Sequence, residues 1–405
     1  MILEGIIAEV IEQQKYRISQ KDKGLMRELV PATKSLSSHA LIISGIRRCG
    51  KSTLLMQMIK EMDNESLLYL NFDSPQLYDF SLLDFSRLDN IIAKQGVNTL
   101  FFDELQLVEG WEMYVRQKLD EGFQVIITGS NASLLSKELG TRLTGRHITQ
   151  ELFPFSYGEF LAFRALTPSS ESLRTYMQTG GFPEFVKNND EEQLAALFED
   201  VLIRDIVTRH GIKDIKSLHR LASYLISNIG NRVTATKLKQ PLSIGATSTV
   251  LSWFSHLELS YLVCFLPMFS YSTKAQLINP RKVYAIDLGF VNVISNTMTD
   301  DLGRKFENLV FIHLRRKYSE LYYFDEKGEC DFVVMKNGVV VELIQVCYEL
   351  TPDNLKREVD GLLKAMRFFN QSKATLVTFS NTDLIKEGVF EIEVIPAYKY
   401  LYCVT

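Results

Sequence analysis

The stretch "ALIISGIRRCGKSTLLMQMIK", Ala40–Lys60, decides the fold. Ala40–Ser44 is a short apolar run that stops at a glycine, which predicts a buried strand. Gly45 and Gly50 bracket Ile46, Arg47, Arg48 and Cys49, and Lys51, Ser52 and Thr53 follow. Leu54, Leu55, Met58 and Ile59 then recur at helical spacing, so a helix begins near Lys51. The pattern is G-x4-G-K-S between a strand and a helix, the P-loop context. Each residue type has a reason. Glycines let successive backbone N–H groups turn inward toward phosphate oxygens. The helix N-terminus adds partial positive charge. Lys51 is placed for the β- and γ-phosphates, and the Ser52 hydroxyl for Mg²⁺. ATP and Mg²⁺ are the cofactors expected.

Hydrolysis asks for carboxylates, and "VNTLFFDELQ" (Val97–Gln106) offers two after a second apolar strand. Asp103 is expected to hold Mg²⁺ through water, and Glu104 to orient or deprotonate the attacking water. "FQVIITGSNASLL" (Phe123–Leu135) reads as a third strand, with Thr128, Ser130 and Asn131 at its end to sense the γ-phosphate. Strands alternating with helices imply a parallel sheet with ligand at its carboxyl edge.

The bulk composition narrows the class. A chain of 405 residues is long enough for about two or three domains. Apolar residues make up 46% and charged residues 23%, ordinary globular proportions. Net charge is −4, so a basic site must be local. Cys49, Cys264, Cys330, Cys347 and Cys403 form no CxxC pair, which argues against zinc and a disulfide framework and fits a reduced, cytoplasmic setting. "MILEGIIAEVIEQQKYR" carries acidic residues within its apolar stretch, unlike a signal peptide. No apolar run approaches the roughly 18 residues of a membrane span, so no membrane partner is expected.

Several segments together resemble the prokaryotic AAA-type ATPases that carry a C-terminal domain of the DUF4143 type. They are "GIRRCGKSTLL", "YLNFDSP" (Tyr69–Pro75), "LFFDELQ", "VIITGSNASLLS", "LTGRHITQELFPFSYGEFL" (Leu143–Leu161), "TGGFPEFV" (Thr179–Val186), "KVYAIDLGF" (Lys282–Phe290) and "FENLVFIHLRRK" (Phe306–Lys317). The resemblance implies ATP binding, ATP hydrolysis and a homo-oligomer. Arg142 and Arg146 fall where that group has arginines before its "PFS" segment, so one of them is expected at the γ-phosphate, in cis or from a neighbouring subunit.

In the middle of the chain, Leu202–Gln240 holds eight Lys/Arg against two Asp/Glu, a local surplus of six positive charges. Helices are expected over Leu218–Gly230, Thr234–Leu242 and Ala246–Val263. With "CFLPMFSYSTKAQLINPRKVYAID" as a hairpin, the order resembles a winged helix-turn-helix. Arg232, Lys237, Lys239 and the third helix are candidates for duplex DNA. A protein partner on the same fold is the alternative.

"KFENLVFIHLRRKY" (Lys305–Tyr318) reads as an amphipathic helix bearing Glu307, followed by three strands over Leu321–Leu350 with turns at Lys327-Gly328 and Asn337-Gly338. A helical Glu and then Asp331 opening a strand resemble the restriction-nuclease fold, whose carboxylates gather Mg²⁺ beside a lysine. Residues two apart in a strand share a face. Gln345 and Cys347 therefore align with the acid-x-lysine pair of that fold, while Glu342 faces away. A cysteine stands at the lysine position, with Lys356 and Lys364 on the next helix as substitutes. Weak, vestigial metal binding by Glu307 and Asp331, without efficient cleavage, is expected.

The fold class expected is α/β. Residues 1–30 form an N-terminal helical segment. Residues 31–165 form a P-loop parallel sheet with helices on both faces, 166–300 a helical lid and winged helix, and 301–405 a restriction-endonuclease-like α/β domain. The function expected is an Mg²⁺-dependent ATPase acting as a switch or motor, with DNA as a candidate target. Its rivals are an ATP-regulated, metal-dependent DNA nuclease and a non-hydrolysing ATP-dependent regulator.

Overall fold

The computed structural model describes residues 1–29, 38–62, 66–130, 143, 145–295, 301–326 and 328–402. They form two compact units, Met1–Leu152 and Phe153–Thr405. Among the described residues, no helix is long and apolar enough to cross a membrane.

The first unit is built on five parallel strands: β1 (Ala40–Ser44), β2 (Leu67–Asn71), β3 (Thr99–Asp103), β4 (Gln124–Gly129) and β5 (His147–Glu151), in the order β2-β3-β4-β1-β5. β1 and β3 are buried at every position, as continuous apolar runs in a central parallel sheet should be. Ala40 and Ile42 share a core with Leu68, Leu70, Leu100 and Phe102 and with the helices Phe85–Gln95 and Trp111–Asp120; the intervening Leu41 and Ile43 are buried on the other face. Ile7, Val10 and Ile11 of the helix Glu4–Gln20 belong to the same core. The N-terminal segment is thus part of the first unit. The sheet places the carboxyl ends of β1, β3 and β4 side by side, with β4 between the other two.

The second unit carries a six-stranded mixed sheet. Its strands are β9 (Glu320–Phe324), β10 (Cys330–Lys336), β11 (Val339–Cys347), β12 (Lys373–Thr378), β13 (Asp383–Glu387) and β14 (Phe390–Pro396), ordered β13-β14-β12-β11-β10-β9. β9, β10 and β11 form the expected antiparallel meander. Asn337 and Gly338, with φ of 53° and 76°, make the β10–β11 turn in the left-handed region that two-residue hairpins favour. Lys327 of the other expected turn lies outside the described residues.

A smaller three-stranded sheet, β6 (Arg232–Val233), β7 (Val263–Leu266) and β8 (Arg281–Ala285), is ordered β6-β8-β7. The middle helices are Ile215–Ser227, Ala235–Lys239 and Thr247–Leu259. The third is shorter than expected, because Val263 already pairs with Ala285 as the start of β7. The β7–β8 connection also holds a helix, Thr273–Ile278, capped by Ser272 Oγ on the Ala275 N–H at 3.3 Å.

Three of the quoted segments meet at one buried carboxylate and one amide. Asp287 accepts from the N–H groups of Gly181 (2.7 Å) and Gly289 (2.8 Å). A Cβ on Gly180, whose φ is +72°, would lie 2.1 Å from the Asp287 Oδ1, so only glycine fits there. Asn308 spans both backbone groups of Ala285, at 2.8 and 3.0 Å. "TGGFPEFV", "KVYAIDLGF" and "FENLVFIHLRRK" therefore serve the packing of this unit.

Candidate nucleotide site and the C-terminal carboxylate cluster

Gly45–Gly50 connect β1 to the helix Lys51–Met62, so the P-loop has the strand–loop–helix setting expected. A Cβ on Gly45 would lie 2.1 Å from the Leu152 carbonyl oxygen. Arg48 (φ 63°) and Gly50 (φ 107°) give the loop its curl. Ile46 and Cys49 are buried, Arg47 is half-buried and Arg48 exposed. Lys51 is itself buried, and its Nζ donates to the carbonyls of Gly45 (3.0 Å) and Ile46 (3.1 Å). Ser52 and Thr53 follow in the first helical turn.

Asp103 ends β3 with no exposure at all. Its Oδ1 accepts from Thr128 Oγ1; its Oδ2 accepts from Tyr69 OH at 2.9 Å and Asn71 Nδ2 at 3.1 Å. Ser52 also hydrogen-bonds the carboxylate. Burial and the adjacent Glu104 push the Asp103 carboxyl up, opposed by these donors. Tyr69 and Asn71 were not legible as site residues. They come from "YLNFDSP" on β2, which pairs with β3 so that Asn71 lies opposite Asp103.

Glu104 sits in the left-handed region at φ 56°, a conformation that costs a non-glycine residue roughly 1–3 kcal/mol and gathers at functional sites. Its N–H donates to Thr128 Oγ1 at 3.2 Å, its Oε2 accepts from Gln106 Nε2, and its Oε1 lies 3.9 Å from Lys51 Nζ. Gln106, also unforeseen, keeps a buried Oε1 without a hydrogen-bond partner among the described residues. Ser130, at the end of β4, is 1% exposed and its Oγ is likewise unpartnered there. Buried polar groups normally find partners. An orphan hydroxyl beside a glycine-rich cradle, an ammonium and a buried carboxylate is what a metal-bound triphosphate would complete. The residues at this edge fit a nucleotide with its metal, which Ser52 and Asp103 would hold.

The arginines divide differently. Asn131 and Arg142 lie outside the described residues. Arg146 precedes β5, which runs parallel to β1 with Ala40 opposite His147. It therefore sits at the amino edge of the sheet, opposite the P-loop, and its Nη2 pairs with Asp120 at 2.7 Å. The expected contact with the γ-phosphate of its own chain is corrected: the direction of β5 carries Arg146 the length of a strand away.

In the second unit, Glu307, Asp331 and Gln345 do meet, lining a cavity of about 490 Å³ together with Glu358 and Lys364. Gln345 Oε1 accepts from the Asp331 N–H at 3.2 Å, and its Nε2 donates to Glu358 at 2.9 Å. Cys347 contacts Asn354 of the helix Pro352–Phe369, which also carries Glu358, while Glu342 accepts from Tyr318 and Tyr400 on the other side, as the strand parity required. Burial and Glu358 push the Cys347 thiol up to about 11, so it is neutral at physiological pH.

The unforeseen residue here is Lys282 of β8. Its Nζ lies 2.9 Å from Glu307 Oε1 and 2.8 Å from Asp331 Oδ1, with the lysine 4% exposed. Burial alone would lower its pKa, but Asp331 and Glu307 more than reverse that. Burial and Asp331 push Glu307 up to about 7. Tyr284 OH adds a 2.6 Å bond to Glu307. A metal at Glu307 and Asp331, expected there as weak binding, would have to displace an ammonium that already bridges the pair. Among the described residues, no group of three or more His, Cys, Asp or Glu is arranged to hold a metal ion.

Residues 37–161 match the family model described as an AAA domain, so the first unit's nucleotide edge belongs to an ATPase-like domain of the AAA class. Over 99% of its length the chain is 32% identical to the uncharacterized protein MJ1544 of Methanocaldococcus jannaschii, covering 96% of that protein. Over 87% it is 30% identical to an uncharacterized protein of Haemophilus influenzae, covering 92% of it. The chain belongs to the family of these proteins. Residues 170–301 match a domain of unknown function, DUF8612; the DUF4143 type expected for the C-terminal domain is not shown. Among solved structures, AMPPCP-bound DnaA from Aquifex aeolicus is similar with a TM-score of 0.30 and 14% identity, over 64% of this chain and 89% of that one. PCH-2 of C. elegans follows with 0.23 and 13%, over 43% and 47%.

Proposed function

We propose that the protein binds ATP with Mg²⁺ and hydrolyses it, using the cycle as a conformational switch. The observation that carries this reading is the meeting of Lys51, Asp103, Glu104 and the unpartnered Ser130 hydroxyl at one sheet edge. Loop N–H groups and Lys51 bind the triphosphate; Mg²⁺, held by Ser52 and Asp103, would neutralise charge on its β- and γ-oxygens. Glu104 takes the proton of the attacking water, with Gln106 orienting the carboxylate. Ser130 donates to the γ-phosphate. Lys51→Ala is expected to abolish detectable ATP binding, because the loop loses its phosphate-facing ammonium. Equilibrium binding of a fluorescent ATP analogue checks this, and wild-type affinity in the variant would remove the site assignment.

Duplex DNA is the second reading, favoured by the charge surplus of residues 202–240 and by element order. Helix, short strand, two helices and an antiparallel strand pair follow one another as in a winged helix-turn-helix. Arg232 is a poor contact, since its guanidinium pairs with Asp325 and Glu329 and stacks over Tyr323. Lys237, exposed, and Lys239, half-buried, remain. Wild-type binding to duplex DNA should weaken linearly on log–log axes with salt, as counterion release requires. Lys237→Glu with Lys239→Glu should weaken it further. Salt-independent binding, or an unaffected double variant, makes this module a protein contact instead.

A further inference from the structure

The P-loop is gripped from outside by a residue far from its motif. Arg27 is 5% exposed, and its Nη1 donates to the Cys49 carbonyl at 2.8 Å. In a trans peptide the carbonyl and the following N–H point in opposite directions. With the Cys49 carbonyl turned to Arg27, the N–H of Gly50 is turned away from it. Gly50 is confined twice over: its φ is +107°, and a Cβ there would lie 3.1 Å from Arg27 Nη1. The segment bearing Arg27 is also fixed to the helix that the loop opens. Gln57, 1% exposed, donates its Nε2 to the carbonyls of Lys23 and Leu25, both at 2.7 Å.

We propose that Arg27 is a positioning residue for phosphate binding. It holds the Cys49–Gly50 peptide with its carbonyl outward, which leaves the Gly50 N–H for a phosphate oxygen. A charged donor on the carbonyl also polarises the peptide and strengthens its N–H as a donor. Arg27 thus acts on the ligand through the backbone. The inference rests on the P-loop being an ATP site and deepens that reading.

The test is equilibrium binding of ATP, ADP and AMP to the full-length chain, in EDTA and in Mg²⁺, alongside phosphate-release kinetics. Arg27→Ala should bind ATP and ADP about tenfold more weakly, the loss of one charge-assisted hydrogen bond, in EDTA as well as in Mg²⁺. AMP, which lacks the β-phosphate, should change much less. KM should rise while kcat at saturation stays within about twofold, as for lost binding shared by ground and transition states. Arg27→Gln keeps a neutral donor and should fall between; it decides the matter if the alanine variant does not fold. ATP affinity equal to wild type in either folded variant overturns the inference and leaves the ATP site standing. Equal losses for AMP and ATP assign Arg27 to the fold and also overturn it. A wild-type chain that binds no nucleotide removes the ATP reading and this inference with it.

Discussion

Glu104→Gln is expected to bind ATP as the wild type does and to turn it over about 10²–10⁴-fold more slowly, the range that general base catalysis contributes. The amide keeps the shape and length of the carboxylate but cannot take a proton from water at neutral pH. Its surroundings argue that the position is built for chemistry. A left-handed backbone at a non-glycine residue is retained only where neighbours enforce it, and here the Glu104 N–H is tied to Thr128 while the side chain is held by Gln106 beside Lys51. Binding should survive because the phosphate cradle lies in Gly45–Ser52. Phosphate release at saturating ATP, with affinity measured separately, checks both halves. An unchanged rate removes Glu104 as the base. Lost binding would make it part of the nucleotide's seat instead.

The nucleotide edge was readable in the sequence where its parts are local. Gly45, Gly50 and Lys51 occupy one loop, and Asp103 and Glu104 are adjacent at the end of one apolar run. Strand and helix periodicity set their context. The fixed two-residue period of a strand likewise separated Gln345 and Cys347 from Glu342. What stayed hidden is what only pairing and packing create. Tyr69 reaches Asp103 across 34 positions, Arg27 reaches Cys49 across 22, and Lys282 reaches Asp331 across 49. Each is an ordinary residue in its own segment and acquires a role from the strand or loop set beside it. The in-cis role of Arg146 was misplaced for the converse reason, and the contact from a neighbouring subunit is untouched by it. Nearness in sequence to the "PFS" segment suggested the γ-phosphate, while a parallel strand fixes which end of the sheet its first residue occupies.

Lys282→Met should destabilise the second unit by about 3–5 kcal/mol, the usual cost of removing one partner from a buried ion pair. Methionine fills the space of the lysine stem, so the loss is electrostatic: Glu307 and Asp331 are left buried together without their cation. A shift of the denaturant midpoint at constant slope measures it. The deficit depends on pH with a definite sign. Glu307 has its folded pKa raised to about 7 from an ordinary 4.5, so the folded state holds this proton more tightly than the unfolded chain does. Its contribution to stability therefore falls as pH rises between those values. Without Lys282 the Glu307 carboxyl is pushed further up, so the drop should extend to higher pH, and the variant should recover part of its deficit near pH 5, where protonation removes one of the two unpaired charges. The same ammonium argues against a nuclease. It bridges the two carboxylates that a catalytic metal would need, and the thiol of Cys347 is neutral, which leaves Lys364 on the wall of the same cavity as a candidate cation. Incubation of the wild type with supercoiled DNA and Mg²⁺ or Mn²⁺, with and without ATP, should leave the DNA intact. Metal-dependent nicking that disappears in Asp331→Ala would show that Lys282 yields its place to a metal. If Mn²⁺ raises the stability of Lys282→Met and leaves the wild type unchanged, a divalent ion has entered where the ammonium was, and Lys282 is what excludes it from the native chain.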